Sequence, residues 1–351
     1  MTVAPSADML RLLGGFQISQ ALYVTARAKV ADHLLAGPLP LPALAAATGL
    51  DAAPLGRLLR TLAAEGVFTV EPDDDPDGED PDGEPDGAAH GPLVGLGPLG
   101  RTLASDTPES LRNVALTWME THYLAFAELW HTARDGVPAA ERAYGRPFFD
   151  WLGEDPERVA TFTAAMADFA RLRRDALDAV EVDGARTVVD VGGADGTVLA
   201  ALARRHPQVR GIVFDLPHVV AAAPPLLRAQ GVADRVEAQG GDFFTAVPAG
   251  DCYLACFILH DWDDEQAGRI LARIHQAATP QARLVLVDTV LGEGALPQVA
   301  TLLDLTMLGM LGGRERSAAD WRHLLTAHGF QLDRIRPTAG PMCVLEATRA
   351  A

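Results

Sequence analysis

Between Thr187 and Asp215 the chain reads TVVDVGGADGTVLAALARRHPQVRGIVFD, an order of residue types that few folds accommodate. The β-branched run of Thr187, Val188, Val189 and Val191 suits a strand buried on both faces. Gly192, Gly193 and Gly196 follow at once, and from Thr197 to Arg205 the apolar residues Val198, Leu199, Leu202 and Ala203 fall at helical spacing. A second short strand, Ile212 to Phe214, ends at Asp215. Strand, glycine turn, helix and strand in this order open a doubly wound α/β sheet. In such a sheet the turn aims backbone N–H groups and the positive end of the helix dipole into a crevice. Glycine lets a ligand lie against the backbone there.

A glycine cluster also serves tight turns for steric reasons alone, so the ligand has to be read from its surroundings. Asp215 follows the glycines by about twenty residues, the distance at which a carboxylate can accept hydrogen bonds from ribose hydroxyls. A nucleoside is therefore the expected ligand. The turn lacks a regular G-x-G-x-x-G, and Asp190 just before it suits a cationic ligand better than a pyrophosphate. S-adenosylmethionine fits that description, having an amino group, a sulfonium and no phosphate.

The chain of 351 residues is long enough for two domains, and with 48% hydrophobic residues and a mean hydropathy of +0.09 both can have cores. The formal charge is −18, of which ten acidic residues between Glu71 and Asp86 account for more than half. Neither the total nor the −8 left over suits a nucleic-acid partner, because phosphate binding needs a basic face. No apolar run approaches the roughly 20 residues of a membrane span, and the N-terminus lacks a signal-peptide layout, so the expected location is the cytoplasm with no membrane partner. Cys252, Cys256 and Cys343 show neither a C-x-x-C nor a paired framework and are expected to be reduced, with no metal bound.

From Met9 to Leu35 the apolar pattern fits one or two helices whose exposed faces need a partner, either the rest of the subunit or a second subunit. Leu41 to Thr48, a turn at Gly49, and a helix from about Ala53 to Ala64 ended by Gly66 then give helix-turn-helix spacing followed by a strand. A DNA-binding regulator would use such a unit, but the acidic stretch behind it opposes phosphate. That stretch, 72–91, sits where a winged hairpin would turn. It is expected to be a disordered, solvated insertion, with calcium binding as the alternative.

Ser110 to Arg174 reads as helical and rich in aromatic residues and methionine. Trp118, Met119 and His122 share one helical face, and Phe162, Met166 and Phe169 share another; a flat aromatic substrate could lie between them, although a simple core is the alternative for each residue. The βα alternation resumes after Asp215, with a helix from Asp263 to Ala278 started by an Asp263–Gln266 capping box. The last two strands, FQLDRIRP and MCVLEATR, are expected to close one edge of the parallel sheet as an antiparallel hairpin.

At ILHDWDD, around His260, the chain resembles the small-molecule O-methyltransferases that use S-adenosylmethionine. With DVGGADG at 190–196, FDLPHVV at 214–220, GDFF at 241–244 and GGRERS at 312–317, the resemblance covers nearly the whole chain. It is strongest to the bacterial enzymes that tailor aromatic polyketides, with the plant caffeate and flavonoid enzymes as cousins. The fold this implies is a Rossmann-like, doubly wound class I methyltransferase domain at 181–351, preceded by a mainly helical, winged-helix-like dimerisation domain at 1–105 and a helical pocket region at 106–180.

Carried over by position, Asp190, Gly192 and Gly193 hold the amino-acid end of S-adenosylmethionine, Asp215 its ribose, and Asp242 with Phe243 its adenine; Leu216, Cys256 and Trp262 join that site. His260 takes the place of the catalytic base, flanked by Asp288 and Glu315. Trp118, Met119, His122, Phe162, Met166, Asp261, Leu303 and Met307 line the pocket. Ala194 stands where the family often has a third glycine, and Asp288 where it often has a glutamate. The implied reaction is methylation of a phenolic or enolic hydroxyl of an aromatic natural product by a homodimer. A hydroxylase-like relative that has lost methyl transfer and a DNA-binding regulator are the alternatives.

Overall fold

The structure, a computed structural model, describes residues 5–72, 90–172, 174–293 and 297–350. The chain divides into two compact units, Met1–Leu124 with Phe149–Arg171, and Ala125–Phe148 with Leu172–Ala351.

In the first unit the apolar N-terminal run forms three helices where the sequence suggests one or two: Pro5–Leu13, Gly15–Arg27 and Val30–His33. The second break falls at Lys29, whose left-handed φ of 54° cannot continue a helix. After strand β1 (Leu39–Pro40), helix Leu41–Thr48 ends at Gly49 with φ +70°. Helix Ala52–Ala64 begins at Asp51, whose carboxylate accepts a hydrogen bond from the Ala53 N–H at 2.9 Å. Strands β2 (Phe68–Glu71) and β3 (Leu93–Leu96) form the antiparallel wing, with β1 on the far side of β3. Leu44, Leu55, Leu59, Leu62, Phe68 and Val94 are fully buried in this unit's core. Met9, Leu10, Leu12, Leu13 and Phe16 are each more than half exposed. The acidic insertion lies, from 73 to 89, outside the described residues.

The helix expected to run through Trp118 is interrupted. Arg112–Thr117 is α-helical, Trp118–His122 is π-helical, and Tyr123–Phe126 resumes the α form. A π turn inserts a residue and re-aims the side chains around it, which apolar spacing does not reveal.

The second unit holds β4 (Thr187–Val191), β5 (Arg210–Asp215), β6 (Val236–Gly240), β7 (Gly250–Cys256), β8 (Ala278–Asp288), β9 (Val290–Leu291), β10 (Arg316–Ser317), β11 (Phe330–Pro337) and β12 (Cys343–Arg349). Among the described residues seven of these form one sheet in the order β11-β12-β8-β7-β4-β5-β6. β4 through β8 are parallel, and β12 runs antiparallel to both neighbours, giving the expected edge hairpin. Val188, Val213, Val285 and Val287 enter the core on one face, while Val189, Phe214, Leu284 and Leu286 enter it on the other. Burial on both faces is why these strands read as continuous apolar runs without alternation.

Strand order reverses at β4, with β5 and β6 to one side and β7 and β8 to the other, and the carboxyl ends of such strands open a crevice at that point. Parallel pairing of β9 with β10, Val290 opposite Arg316, returns residues 312–317 to the end of β8. The helix after β7 is Asp264–Ala277. Asp263 caps it by accepting from the Gln266 N–H at 2.8 Å, but the Gln266 side chain accepts from Arg269, so the expected capping box is only half formed. A complete box starts helix Ala318–Ala327 instead, through Ser317 and Asp320. No helix among the described residues is long and apolar enough to cross a membrane.

Candidate active site

The glycine turn at the end of β4 is shaped by its neighbours. Gly192 adopts φ +75°, and a Cβ there would come within 2.3 Å of the Ile258 side chain. A Cβ on Gly193 would lie 2.8 Å from the carboxylate of Asp190, which is itself buried. Both positions are thus closed to a side chain, leaving backbone facing the crevice. Ala194 takes a left-handed φ of 47°, a conformation that costs an L-residue more than glycine. Its N–H donates to Asp215 at 3.0 Å, and the N–H of Leu216 donates to the other Asp215 oxygen at 2.7 Å. Asp215 therefore ties the turn to β5 with two of its lone pairs and keeps others for a ligand.

Beyond β6, Asp242 accepts from the Phe244 N–H at 2.8 Å. The Phe243, Phe244 and Trp262 rings pack edge to face, with centroids 4.8 to 6.2 Å apart. Cys256 is the last residue of β7, opposite Val287 of β8. The cofactor residues expected from the sequence thus stand at or just beyond the carboxyl ends of β4, β5, β6 and β7. A nucleoside with a cationic amino-acid tail suits this set, which offers carboxylates at 190, 215 and 242, open backbone at 192–193 and an aromatic cluster.

His260 sits in the short 3-10 turn Leu259–Asp261 and is 5% exposed. Its Nδ1 lies 2.7 Å from Oε1 of Glu315 and 3.5 Å from Oδ1 of Asp288, and its Nε2 lies 3.4 Å from Oδ1 of Asp261. The structure therefore brings His260, Asp288 and Glu315 together, and adds Asp261 to the same cluster. The hydroxyl of Thr289 donates to the second oxygen of Glu315, whose backbone N–H donates to Asp304 at 2.9 Å. With Glu315 held from two sides, Nδ1 must be the donor to it, so the neutral ring presents Nε2 as the acceptor.

Burial works against a charged ring here, but Asp288, Glu315 and Asp261 outweigh it and push the His260 pKa up to about 10. Burial pushes Asp261 up to about 6 against the pull of His260, and raises Asp288 against the same pull. The three donors of His260, Asp288 and Glu315 lie within 4.8 Å of one another, a compactness that a metal site would share. Two ligands of one tetrahedral ion with bonds of about 2.0 Å stand roughly 3.3 Å apart. The 2.7 Å Nδ1–Oε1 contact is a hydrogen bond.

Sequence reasoning passed over the groups that clamp this turn. Arg316 is fully buried, and its guanidinium donates to the carbonyls of Leu259 and Trp262 at 2.8 and 2.9 Å and to Asp264 at 2.9 Å. Gly313 packs so closely that a Cβ would fall 2.1 Å from the His260 carbonyl oxygen. The available signal was an arginine next to Glu315 in an apolar context, and glycines before it.

The expected pocket residues fall in both units. In the first, the Trp118 ring lies 6.3 Å from His122 and 6.0 Å from Phe169, and Phe162 meets Phe149 edge-on at 6.1 Å. Met119 and Met166 are half-buried. Burial lowers the His122 pKa to about 4, so this ring is neutral, and its Nδ1 is 2.7 Å from the Thr121 hydroxyl. In the second, Leu303 and Met307 are buried one turn apart on helix Pro297–Met310, with Asp304 between them. Asp261 belongs with the histidine. A separate cavity of about 380 Å³, lined in part by Arg186, Arg210 and Asp251, opens at the opposite ends of the strands and adds nothing to this chemistry.

Residues 126–331 match the O-methyltransferase domain and residues 10–83 the O-methyltransferase dimerisation domain. The chain belongs to the S-adenosylmethionine-dependent O-methyltransferase family. Among its relatives is the phenazine O-methyltransferase PhzM of Lysobacter antibioticus, 38% identical over 97% of this chain and 96% of that one. The solved O-methyltransferase NcsB1 from neocarzinostatin biosynthesis, in complex with S-adenosylmethionine and 2-hydroxy-5-methyl naphthoic acid, superposes with a TM-score of 0.73 at 31% identity, covering 94% of this chain and 95% of that one. The chain is also similar to the aclacinomycin 10-hydroxylase RdmB of Streptomyces purpurascens, 35% identical over 92% of this chain and 84% of that one. The class I fold and the dimerisation domain expected from the sequence are those of this family.

Proposed function

We propose that this methyltransferase acts on a phenolic or enolic hydroxyl of an aromatic natural product, with His260 as the general base. The observation that supports this reading is the buried His260–Glu315 hydrogen bond, which occupies Nδ1 and leaves Nε2, 3.4 Å from Asp261, as the nitrogen that can take a proton when the ring is neutral. S-adenosylmethionine, when bound, supplies an electrophilic methyl group on a sulfonium. Asp190, Gly192 and Gly193 hold its amino-acid end, Asp215 and Leu216 its ribose, and Asp242, Phe243, Cys256 and Trp262 its adenine and flanks. His260 takes the acceptor's proton on Nε2, and Glu315 and Asp288 stabilise the imidazolium that results. The raised His260 pKa makes the neutral ring a strong base, and confines proton abstraction to the fraction of enzyme in which the ring has lost its own proton. Alignment of the two bound molecules supplies much of the remaining acceleration.

The aromatic and methionine side chains of Trp118, Met119, His122, Phe162 and Met166 in the first unit are read as contacts for a flat acceptor. Domains are assigned as 1–105 for dimerisation, with the acidic insertion 72–91 dispensable to it, 106–180 for the pocket and 181–351 for catalysis. The enzyme is placed in the cytoplasm, without a nucleic-acid or membrane partner. Incubation of phenolic phenazines, naphthoates and flavonoids with cofactor labelled in its methyl group tests the activity. Mass spectrometry separates an added methyl group from an added oxygen, and oxygen alone would establish the hydroxylase reading instead.

Asp215→Ala is expected to weaken binding of S-adenosylhomocysteine by about 1 to 3 kcal/mol, measured by calorimetry, because it removes charged hydrogen bonds to ribose. Asp215 also holds the Ala194 N–H, so Asp215→Asn, which keeps an acceptor, should lose less. Equal affinity in wild type and Asp215→Ala would remove Asp215 from the ribose site. Assembly is expected to be a homodimer built on the exposed Met9, Leu10, Leu12, Leu13 and Phe16, and light scattering at micromolar concentration should report twice the chain mass. A monomer at that concentration would contradict it.

A further inference from the structure

Three features meet at Phe257, immediately after β7. Its φ is +57°, in the left-handed region that glycine and asparagine occupy readily and a bulky aromatic residue rarely does. Its N–H is anchored to the Val287 carbonyl at 3.0 Å, one residue before Asp288. Its ring stands edge to face with the His260 imidazole, centroids 5.0 Å apart and planes at 78°. The next residue, Ile258, fills the space that the missing side chain of Gly192 leaves open. A turn that needed only to reverse direction would accept glycine here. An aromatic residue in a strained conformation needs contacts that hold it there, and Phe257 packs against the buried core of the sheet and against the ring of the base.

We propose that Phe257 is a positioning residue for His260: its left-handed backbone turns the phenyl ring onto the imidazole and holds that ring in the plane that lets Nδ1 meet Glu315 while Nε2 faces the acceptor. The inference rests on the reading of His260 as the general base. Glu315 and Asp288 meet one ring nitrogen and Asp261 stands 3.4 Å from the other, all at the ring's edge, and Phe257 adds an aromatic contact to the same ring. Clamping of the turn backbone by Arg316 and Gly313 places the Cα of His260 without fixing its ring. Side-chain and backbone restraints thus act on different coordinates of the same residue.

The test compares Phe257→Leu, which keeps apolar bulk, Phe257→Gly, which accepts the left-handed φ without strain, and Phe257→Tyr, which keeps the ring. Each is assayed with a neutral phenol and with an acidic phenol already ionised at the assay pH, which needs no base. Phe257→Leu and Phe257→Gly are expected to lose about 3- to 10-fold in kcat on the neutral phenol, the worth of one aromatic pair, with little loss on the ionised one. Affinity for S-adenosylhomocysteine should stay within about twofold, and Phe257→Tyr should retain near wild-type kcat on both acceptors. Equal losses on both acceptors, or no loss on either, would overturn the proposal and leave Phe257 a packing residue. His260→Ala run alongside separates the two readings. If it too shows no difference between acceptors, the base assignment fails; if it shows the difference and the Phe257 variants do not, only the positioning role fails. Should Phe257→Leu not fold, Phe257→Gly carries the same comparison.

Discussion

His260→Ala is expected to lower kcat by roughly 10²- to 10⁴-fold on a neutral phenol, the range that a positioned general base supplies. Affinity for S-adenosylhomocysteine should change by less than about twofold, because Asp215, Asp242 and the Gly192–Gly193 backbone are untouched. The difference between the two measurements separates proton abstraction from cofactor recognition. Alanine also leaves Glu315 and Asp288 buried without their counter-charge, and carboxylates in that position take up protons or destabilise the fold. His260→Gln is therefore the cleaner companion, since its amide can still donate to Glu315 while offering no base. Both variants should recover much of their loss on an acceptor that is ionised before it binds. Near wild-type turnover of a neutral phenol by either variant would mean that catalysis here is proximity alone.

Much of this site is legible along the chain because its chemistry is local in sequence. Asp190, Gly192 and Gly193 adjoin one strand, Asp215 ends the next, and the β-branched runs that place them are buried on both faces of the sheet. His260 and Asp261 are neighbours in one turn. Other features arise only from contacts between distant segments. The parallel pairing of Val290 with Arg316 brings Glu315 to the end of β8, and no periodicity announces a two-residue strand. Arg316 stands within GGRERS with no role read for it, and only the fold shows it buried on the carbonyls of Leu259 and Trp262. Asp261 is expected in the pocket, and what the sequence does not show is that its carboxylate also lies 3.4 Å from Nε2 of the neighbouring ring in the same 3-10 turn. The π turn at Trp118–His122 has no apolar signature, since each of its residues also suits an α-helix. Phe257 shows the same limit at the backbone level: a left-handed φ is inferred from glycine or asparagine, and here the residue is neither.

Glu315→Gln is expected to slow methylation of a neutral phenol on the order of 10²- to 10⁴-fold, because an amide facing Nδ1 can donate where the carboxylate only accepts, and then favours the tautomer with its proton on Nε2. The pH profile supplies an independent sign. His260 is raised to about 10 by its three carboxylates, so the imidazolium is the resting form at neutral pH and a base is available only in the fraction that has lost its proton. The rate of the wild type should therefore climb with pH well beyond 6.5, the ordinary histidine value. Removing the negative charge of Glu315 takes away one of the attractions that hold this proton, so the acid limb of Glu315→Gln should move to lower pH, by about 1 to 3 units. Asp288→Asn should move it in the same direction with a smaller loss of rate, since Asp288 lies 3.5 Å from Nδ1 where Glu315 lies at 2.7 Å. Both variants act through one imidazole, so the double variant should lose less than the product of the two single losses. Profiles between about pH 6 and pH 10 decide the matter: an acid limb that breaks near 6.5 in the wild type and does not move in Glu315→Gln would mean that these carboxylates do not govern the proton on His260.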